Sequence, residues 1–367
     1  MNKKVTFIIG NLRGGGAEKV CVTLANMLVK QGYQIDLVAL NLNGAVRDKE
    51  LSSAVNLIDL NVKHARYSIF SIWRYIRTNR PSQILSFNRQ ISVVLAILKK
   101  LTTSQFRLIS RNIIFLSIAE SNKKGLWHGV IAKFLIKKFY SSSDAIIAQS
   151  SAMKEDLLSY LGIPSEKVIV INNPVSESVS SYANKNSLNV HKGGYLLCVG
   201  RLEEQKAFHY ALKGFSAIIS EFPELRLKIV GQGSLEKSLK KCANELGIAE
   251  RVDFEGFQEE MIPYYLSANL TVLTSLFEGF PNVLVESTAL GTPVVAFDCP
   301  SGPSEIIIEG KNGYLAPYLD VDVLADKLRL ALSHQWDSAD VASTAKRYSS
   351  EAILKSYHAL FNDQRPN

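Results

Sequence analysis

Two glutamates eight residues apart, Glu278 and Glu286, bracket the string EGFPNVLVE. An ionised carboxylate accepts two hydrogen bonds at once, which suits it to the paired hydroxyls of a sugar or ribose ring. Between them lie Gly279, Phe280 and Pro281. Proline fits the first helical position, so a helix is expected to open at Pro281. Glu278 then falls in the preceding loop and Glu286 on the second turn, while the amides after Pro281 face outward toward any anionic phosphate. The competing use of acids near a helix start is stabilisation of the helix itself.

A second cluster is VGRLEEQKAF, residues 199–208, in which Gly200 closes an apolar run and Arg201 and Lys206 follow. Two cations at the C-terminal edge of a parallel sheet suit a diphosphate; the plain alternative is a solvated surface pair. The third cluster, GNLRGGGAEK at residues 10–19, sets Gly14, Gly15 and Gly16 between a strand and a helix. Backbone amides there can approach a phosphate or sugar closely, with the helix N-terminus adding positive potential. The spacing is not GxGxxG, and the second strand ends in ALNLN with no acid, which argues against a dinucleotide site.

Short β-branched runs alternating with helical stretches must position these clusters. VTFII from Val5, IDLVAL from Ile35, QILSF from Gln83, FRLIS from Phe106, AIIAQ from Ala145 and KVIVI from Lys167 predict one parallel sheet. YLLCV from Tyr195, LRLKIV from Leu225, RVDFEG from Arg251, LTVLT from Leu270 and PVVAF from Pro293 predict another. Such interleaving implies α/β layers with helices on both faces. The stretch 176–194 is poor in apolar residues and reads as a linker. The expected division is 1–175, linker 176–194, 195–345, and a C-terminal helix within 346–367 that packs back toward the first domain. A chain of 367 residues agrees with two domains.

Charge is divided unevenly. Residues 1–175 carry 24 Lys+Arg against 10 Asp+Glu, a net of +14, and residues 176–367 carry 18 against 24, a net of −6. The first half is drawn to anionic surfaces. Two stretches there, residues 66–77 and 126–140, set Phe, Trp and Ile at helical spacing beside Lys and Arg, as helices lying on an anionic membrane do; the favoured reading is that Trp73, Ile76, Phe134 and their neighbours pack on the sheet while the cations face the membrane. The apolar run at residues 91–98 is far short of the roughly 20 residues of a membrane span. Cys21, Cys198, Cys242 and Cys299 lie too far apart for a CxxC pair, which fits a reducing compartment. The six histidines lack ligand spacing; His209 could approach the second cluster from the helix after Lys206, but the expected reading is a surface residue. Asp320 and Asp322 spell DxD just before a helical pattern, where Asp is an ordinary N-cap.

Together the strings resemble glycosyltransferase family 4. EGFPNVLVE is similar to its E-x7-E motif, and GGGAE, GR-x4-K, GQGSLE (231–236), GPSEII (302–307) and NGYLAP (312–317) follow in the family's order. The resemblance implies a GT-B fold, two Rossmann-like doubly wound domains facing an interdomain cleft, and a retaining, metal-independent hexosyltransferase. It implies that Arg201 and Lys206 hold the donor diphosphate, that Glu286 takes the ribose hydroxyls and that Glu278 contacts the transferred sugar. Gly15, Gly16, Gly200, Gly231, Gly279, Phe280, Pro281, Asn282 and Val283 complete the expected donor site, and Gly14, Arg111 and Asn112 are acceptor-side candidates. Many relatives have a histidine near residues 109–112 where this chain reads ISRN; a subgroup carries SERN. No metal or resident cofactor is expected. The donor is a UDP- or GDP-sugar, UDP favoured, and the acceptor a saccharide or polyprenyl-diphosphate-linked sugar at the inner face of the cytoplasmic membrane, in surface polysaccharide assembly.

Two other functions share this architecture: a nucleotide-sugar epimerase and a non-catalytic nucleotide-sugar binder. The first needs an acid/base pair near the sugar, and the sequence supplies none beyond the donor carboxylates. A nucleic-acid partner is not expected, for the basic half carries no recognisable binding motif.

Overall fold

A computed structural model describes residues 3–62, 67–102, 105–117, 136–186 and 193–363. The chain divides into two compact units, one of Met1–Ser176 with Ser350–Asn367 and the other of Glu177–Ser349. Among the described residues the first unit holds a parallel sheet of β1 (Lys4–Ile9), β2 (Gln34–Ala39), β3 (Asn56–Asp59), β4 (Gln83–Ser86), β5 (Arg107–Arg111), β6 (Ala145–Ala148) and β7 (Val168–Val170). Their spatial order is β3-β2-β1-β4-β5-β6-β7. The second unit repeats the plan with β8 (Tyr195–Val199), β9 (Arg226–Val230), β10 (Val252–Gly256), β11 (Leu270–Leu273), β12 (Val294–Phe297) and β13 (Gly313–Ala316), ordered β10-β9-β8-β11-β12-β13. The inner strands are buried along almost their whole length, as strands covered on both faces must be.

The strand order reverses between β1 and β4 and again between β8 and β11. At such switch points the loops leaving the two strands part, and ligands bind outside the carboxyl ends. All three sequence clusters follow one of these strands.

In the first unit, the Gly16–Lys30 helix buries Val20, Cys21, Leu24 and Leu28 on the same core as Val5, Phe7 and Leu37. The returning Ser350–Asn362 helix adds Ile353, Tyr357, Leu360 and Phe361 to that core. At about 1.5–3 kcal/mol for each large apolar side chain buried, these residues anchor the chain's end to its beginning.

Three features differ from the sequence expectation. Residues 176–194 are not all linker, because Glu177–Lys185 is a helix; it buries only Val179, so it has almost no apolar stripe to read. Strands β3 and β13 were absent from the expected pattern: both are four-residue edge strands, and β3 is half exposed. The donor-loop helix runs Asn282–Ala289 and opens one residue later than expected, with Pro281 at its cap. The loop after β12 holds that turn: Ser301 Oγ donates to Gly279 O at 2.9 Å, and a Cβ at Gly302 would come within 2.3 Å of Pro281 Cδ.

Residues 126–135 of the second amphipathic stretch, Phe134 included, lie outside the described residues. The first stretch forms the Ile69–Asn79 helix, with Ile72, Tyr75 and Ile76 buried and Trp73 half-buried. Tyr67 and Phe70 stand 64% and 65% exposed, beside the outward Arg74, Arg77 and Arg80. Among the described residues no helix is long and apolar enough to cross a membrane. All four cysteines are free thiols.

Candidate active site

In the second unit, β8 delivers Gly200 and Arg201 to the carboxyl edge of the sheet. The chain then turns through Glu204–Lys206 into the Phe208–Ser216 helix. Neighbouring β9 is followed by Gly231 (φ +142°), where a Cβ would stand 1.8 Å from Gly200 O. Only glycine lets the two loops approach so closely. Across the switch point, β11 leads into Thr274, Ser275 and the Glu278–Pro281 turn.

These loops are stitched together. Leu276 N donates to Gln205 O at 2.8 Å, Gln205 Nε2 to Phe277 O at 2.9 Å, and Thr274 Oγ1 lies 3.3 Å from both Lys206 O and Ala207 O. The frame brings Lys206 Nζ to 2.5 Å from Glu278 Oε1. Ser275 Oγ donates to the same oxygen at 2.6 Å. The Lys206 and Glu278 side chains retain only 15% and 8% of their exposure. Arg201 is exposed and has no side-chain ion-pair partner among the described residues. One cation is therefore paired inside the loops and the other is left to solvent.

Glu286 is buried on the second turn of the Asn282–Ala289 helix. Tyr265 Oη, fully buried, donates to its Oε2 at 3.4 Å. Burial, reinforced by the charge of Glu286, pushes the Tyr265 hydroxyl well up, so it stays a neutral donor. Phe280 is buried and meets Tyr348 edge-on at 5.4 Å. Cys299 lies close by; burial first, then the charge of Glu278, pushes its thiol up to about 12. His209 is half-buried, its ring tilted against Tyr210 at 4.0 Å, and burial with Lys213 nearby lowers its pKa.

Ser275, Thr274, Tyr265 and Tyr348 escaped the sequence reading. Ser275 left a signal, a hydroxyl three residues before Glu278; Thr274 shares its loop, and Tyr265 and Tyr348 reach the site from separate elements. Asp320 caps the Val321–Ser333 helix, accepting from Val323 N at 3.0 Å.

In the first unit, Gly14 takes φ +124° and the helix begins at Gly16 with Gly15 as its cap. Glu18 folds back over Gly15, its Oε2 2.3 Å from where a Cβ would be. Arg111 ends β5 but is only 1% exposed. Its Nε donates to Tyr357 Oη at 3.1 Å, Nη2 donates to Asn173 Oδ1, and the guanidinium lies over Phe87 at 5.9 Å. Asn112, 2% exposed, donates from Nδ2 to Ile114 O at 2.6 Å. Of the three acceptor-side candidates, Arg111 and Asn112 thus make these contacts with the fold itself, while Arg111 Nη1 and Asn112 Oδ1 are buried without a hydrogen-bond partner among the described residues.

Two parallel sheets in Rossmann order, with the paired cation and carboxylates at the second switch point, make this a GT-B protein. The sequence model of Glycosyltransferase Family 4 matches residues 14–179, and that of Glycosyl transferases group 1 matches residues 182–352. The chain belongs to this glycosyltransferase family and is a glycosyltransferase. It is 25% identical over 381 residues to the amylovoran biosynthesis glycosyltransferase AmsD of Erwinia amylovora, covering 99% of this chain and 100% of that one. It is 24% identical to the N-acetylgalactosamine-N,N'-diacetylbacillosaminyl-diphospho-undecaprenol 4-alpha-N-acetylgalactosaminyltransferase of Campylobacter jejuni, covering 94% and 99%. The crystal structure of Anabaena HepE in complex with UDP is similar with a TM-score of 0.75 at 20% identity, covering 98% and 99%.

Proposed function

We propose that the protein is a retaining glycosyltransferase that moves a hexosyl or N-acetylhexosaminyl unit from a UDP- or GDP-sugar, UDP favoured, to a hydroxyl of a lipid-linked saccharide. The observation that carries this reading is the Lys206, Glu278 and Ser275 cluster, held on two stitched loops with Arg201 exposed beside it. Cations and hydroxyl-accepting carboxylates at one switch point suit the two halves of a nucleotide-sugar. As the bond from the anomeric carbon to the diphosphate oxygen breaks, negative charge grows on the leaving group. Arg201, Lys206 and the first amides of the Asn282–Ala289 helix would stabilise it. The acceptor oxygen bonds to the anomeric carbon on the same face, and its proton passes to the leaving phosphate. Glu278 orients the sugar and Glu286 the ribose.

A lipid-linked acceptor and a role in surface polysaccharide assembly are supported by the Campylobacter and Erwinia relatives. Attachment to the inner face of the cytoplasmic membrane is supported by the +14 charge of residues 1–175 and the exposed Tyr67 and Phe70 beside Arg74 and Arg77. Binding to anionic vesicles that fades as salt rises is the expected result, and failure to bind at low salt counts against it.

A thermal-shift screen with UDP, GDP and their sugars in EDTA tests the donor. A ligand at 100 times its Kd adds about 2.7 kcal/mol. A shift in one nucleotide series supports metal-independent donor binding, whereas no shift on folded protein refutes it. Proton NMR of the product anomer then tests retention, and an inverted product refutes the same-face step.

A further inference from the structure

We propose that Glu278 is the resident counter-anion of Lys206, and that exchange of this partner makes the site select an intact nucleotide-sugar over the bare nucleoside diphosphate. This inference rests on the donor reading above and adds a discrimination between substrate and spent product.

The pair is preorganised. Its two side chains come from loops joined by the Leu276–Gln205 and Gln205–Phe277 hydrogen bonds, with Glu278 N also donating to Pro300 O at 3.2 Å. Lys206 Nζ and Ser275 Oγ both converge on Oε1 of Glu278, at 2.5 and 2.6 Å. Oε2 carries no hydrogen bond among the described residues. If the ammonium is drawn away, the nearly buried carboxylate keeps Ser275 as its one side-chain donor. Breaking a buried ion pair from one side is costly because it leaves the other charge uncompensated.

A nucleoside diphosphate imposes that penalty. Its phosphate takes Lys206 and offers nothing to Glu278. A nucleotide-sugar takes Lys206 with its phosphate and supplies sugar hydroxyls to the released carboxylate, so both charges stay solvated by partners. After transfer the sugar has left, Glu278 is again without its donors, and recovery of Lys206 favours nucleotide release. The same ion pair thereby biases entry toward donor and exit toward product.

The test is isothermal titration of wild type, Glu278→Gln, Lys206→Met and the double variant, each with UDP and UDP-glucose or UDP-N-acetylglucosamine, or with the GDP series where wild type binds that instead. Glutamine keeps the shape and removes the charge. Glu278→Gln is expected to bind the bare nucleotide about tenfold tighter and the nucleotide-sugar more weakly than wild type. In the Lys206→Met background the gain for the nucleotide disappears, because no ammonium remains to be released. Ser275→Ala provides a second line: it leaves Glu278 more dependent on Lys206 and weakens the nucleotide more than the nucleotide-sugar. If Lys206→Met weakens nucleotide binding while Glu278→Gln leaves it unchanged or weaker, the counter-anion role is overturned and the donor site stands. If folded wild type binds no nucleotide of either series, the donor reading falls and this inference with it.

Discussion

Both sheets carry a guanidinium at the carboxyl end of an inner strand, and the two have opposite fates. Arg201 follows β8 exposed to solvent, with Lys206 held five residues on by Glu278. Arg111 ends β5 sealed beneath Tyr357 of the returning helix, hydrogen-bonded to neutral groups and lying over Phe87. The two residues are alike in type and in place at the carboxyl edge of a parallel sheet. They differ in what the rest of the chain lays over them. A cation at such an edge stays open to a ligand only where no later segment covers it; where one does, it becomes a joint of the fold.

The sharpest way to break this contrast is to truncate the cations of the second unit. Arg201→Ala and Lys206→Ala should each lower kcat by roughly 100- to 1,000-fold, the scale of losing one preorganised donor to a developing anion. Arg201 is exposed, so its variant should melt with wild type. Turnover near normal in either variant would remove that residue from the mechanism.

Arg111 should behave the other way round. Arg111→Ala leaves the Tyr357 hydroxyl buried without its donor and opens a cavity, for an expected loss of about 2–4 kcal/mol. Arg111→Met fills much of the volume and should lose less, since an apolar replacement of a buried charge is often tolerated. Thermal melting of both variants, set beside the acceptor KM, separates the two roles. Lower stability with an unchanged KM supports the joint; wild-type melting with a raised acceptor KM would return Arg111 to the acceptor site.

The contrast also marks what a sequence discloses. The strands of both sheet interiors were legible because strands buried on both faces are short, continuous apolar runs. Glu278, Glu286, Arg201 and Lys206 were legible because each lies in a loop or first turns directly after such a strand. The fate of Arg111 was not, because the residue that covers it, Tyr357, comes 246 positions later. Tyr265 beneath Glu286 and Tyr348 against Phe280 were hidden for the same reason: their meeting is made by packing between elements. The Glu177–Lys185 helix escaped because one buried valine gives no periodicity, and β3 because a half-exposed edge strand needs few apolar residues.

Asp320 extends the contrast to carboxylates at the smallest expected effect. Like Glu278 it lies in a loop before a helix, and with Asp322 it spells a pattern that elsewhere holds metal. Its side chain accepts from Val323 N at 3.0 Å, so the acid closes the first turn of the Val321–Ser333 helix. Asp320→Ala should lower stability by about 1 kcal/mol, the usual worth of a cap, and Asp320→Ser should restore most of it because a hydroxyl caps the same amide. Neither change reaches the Lys206–Glu278 loops, so kcat in EDTA should match wild type in both variants. A ligand role would give the reverse order: serine would fail as alanine does, and activity would fall while melting held. Glu278 offers no such rescue, since a capping hydroxyl cannot replace the charge that holds Lys206.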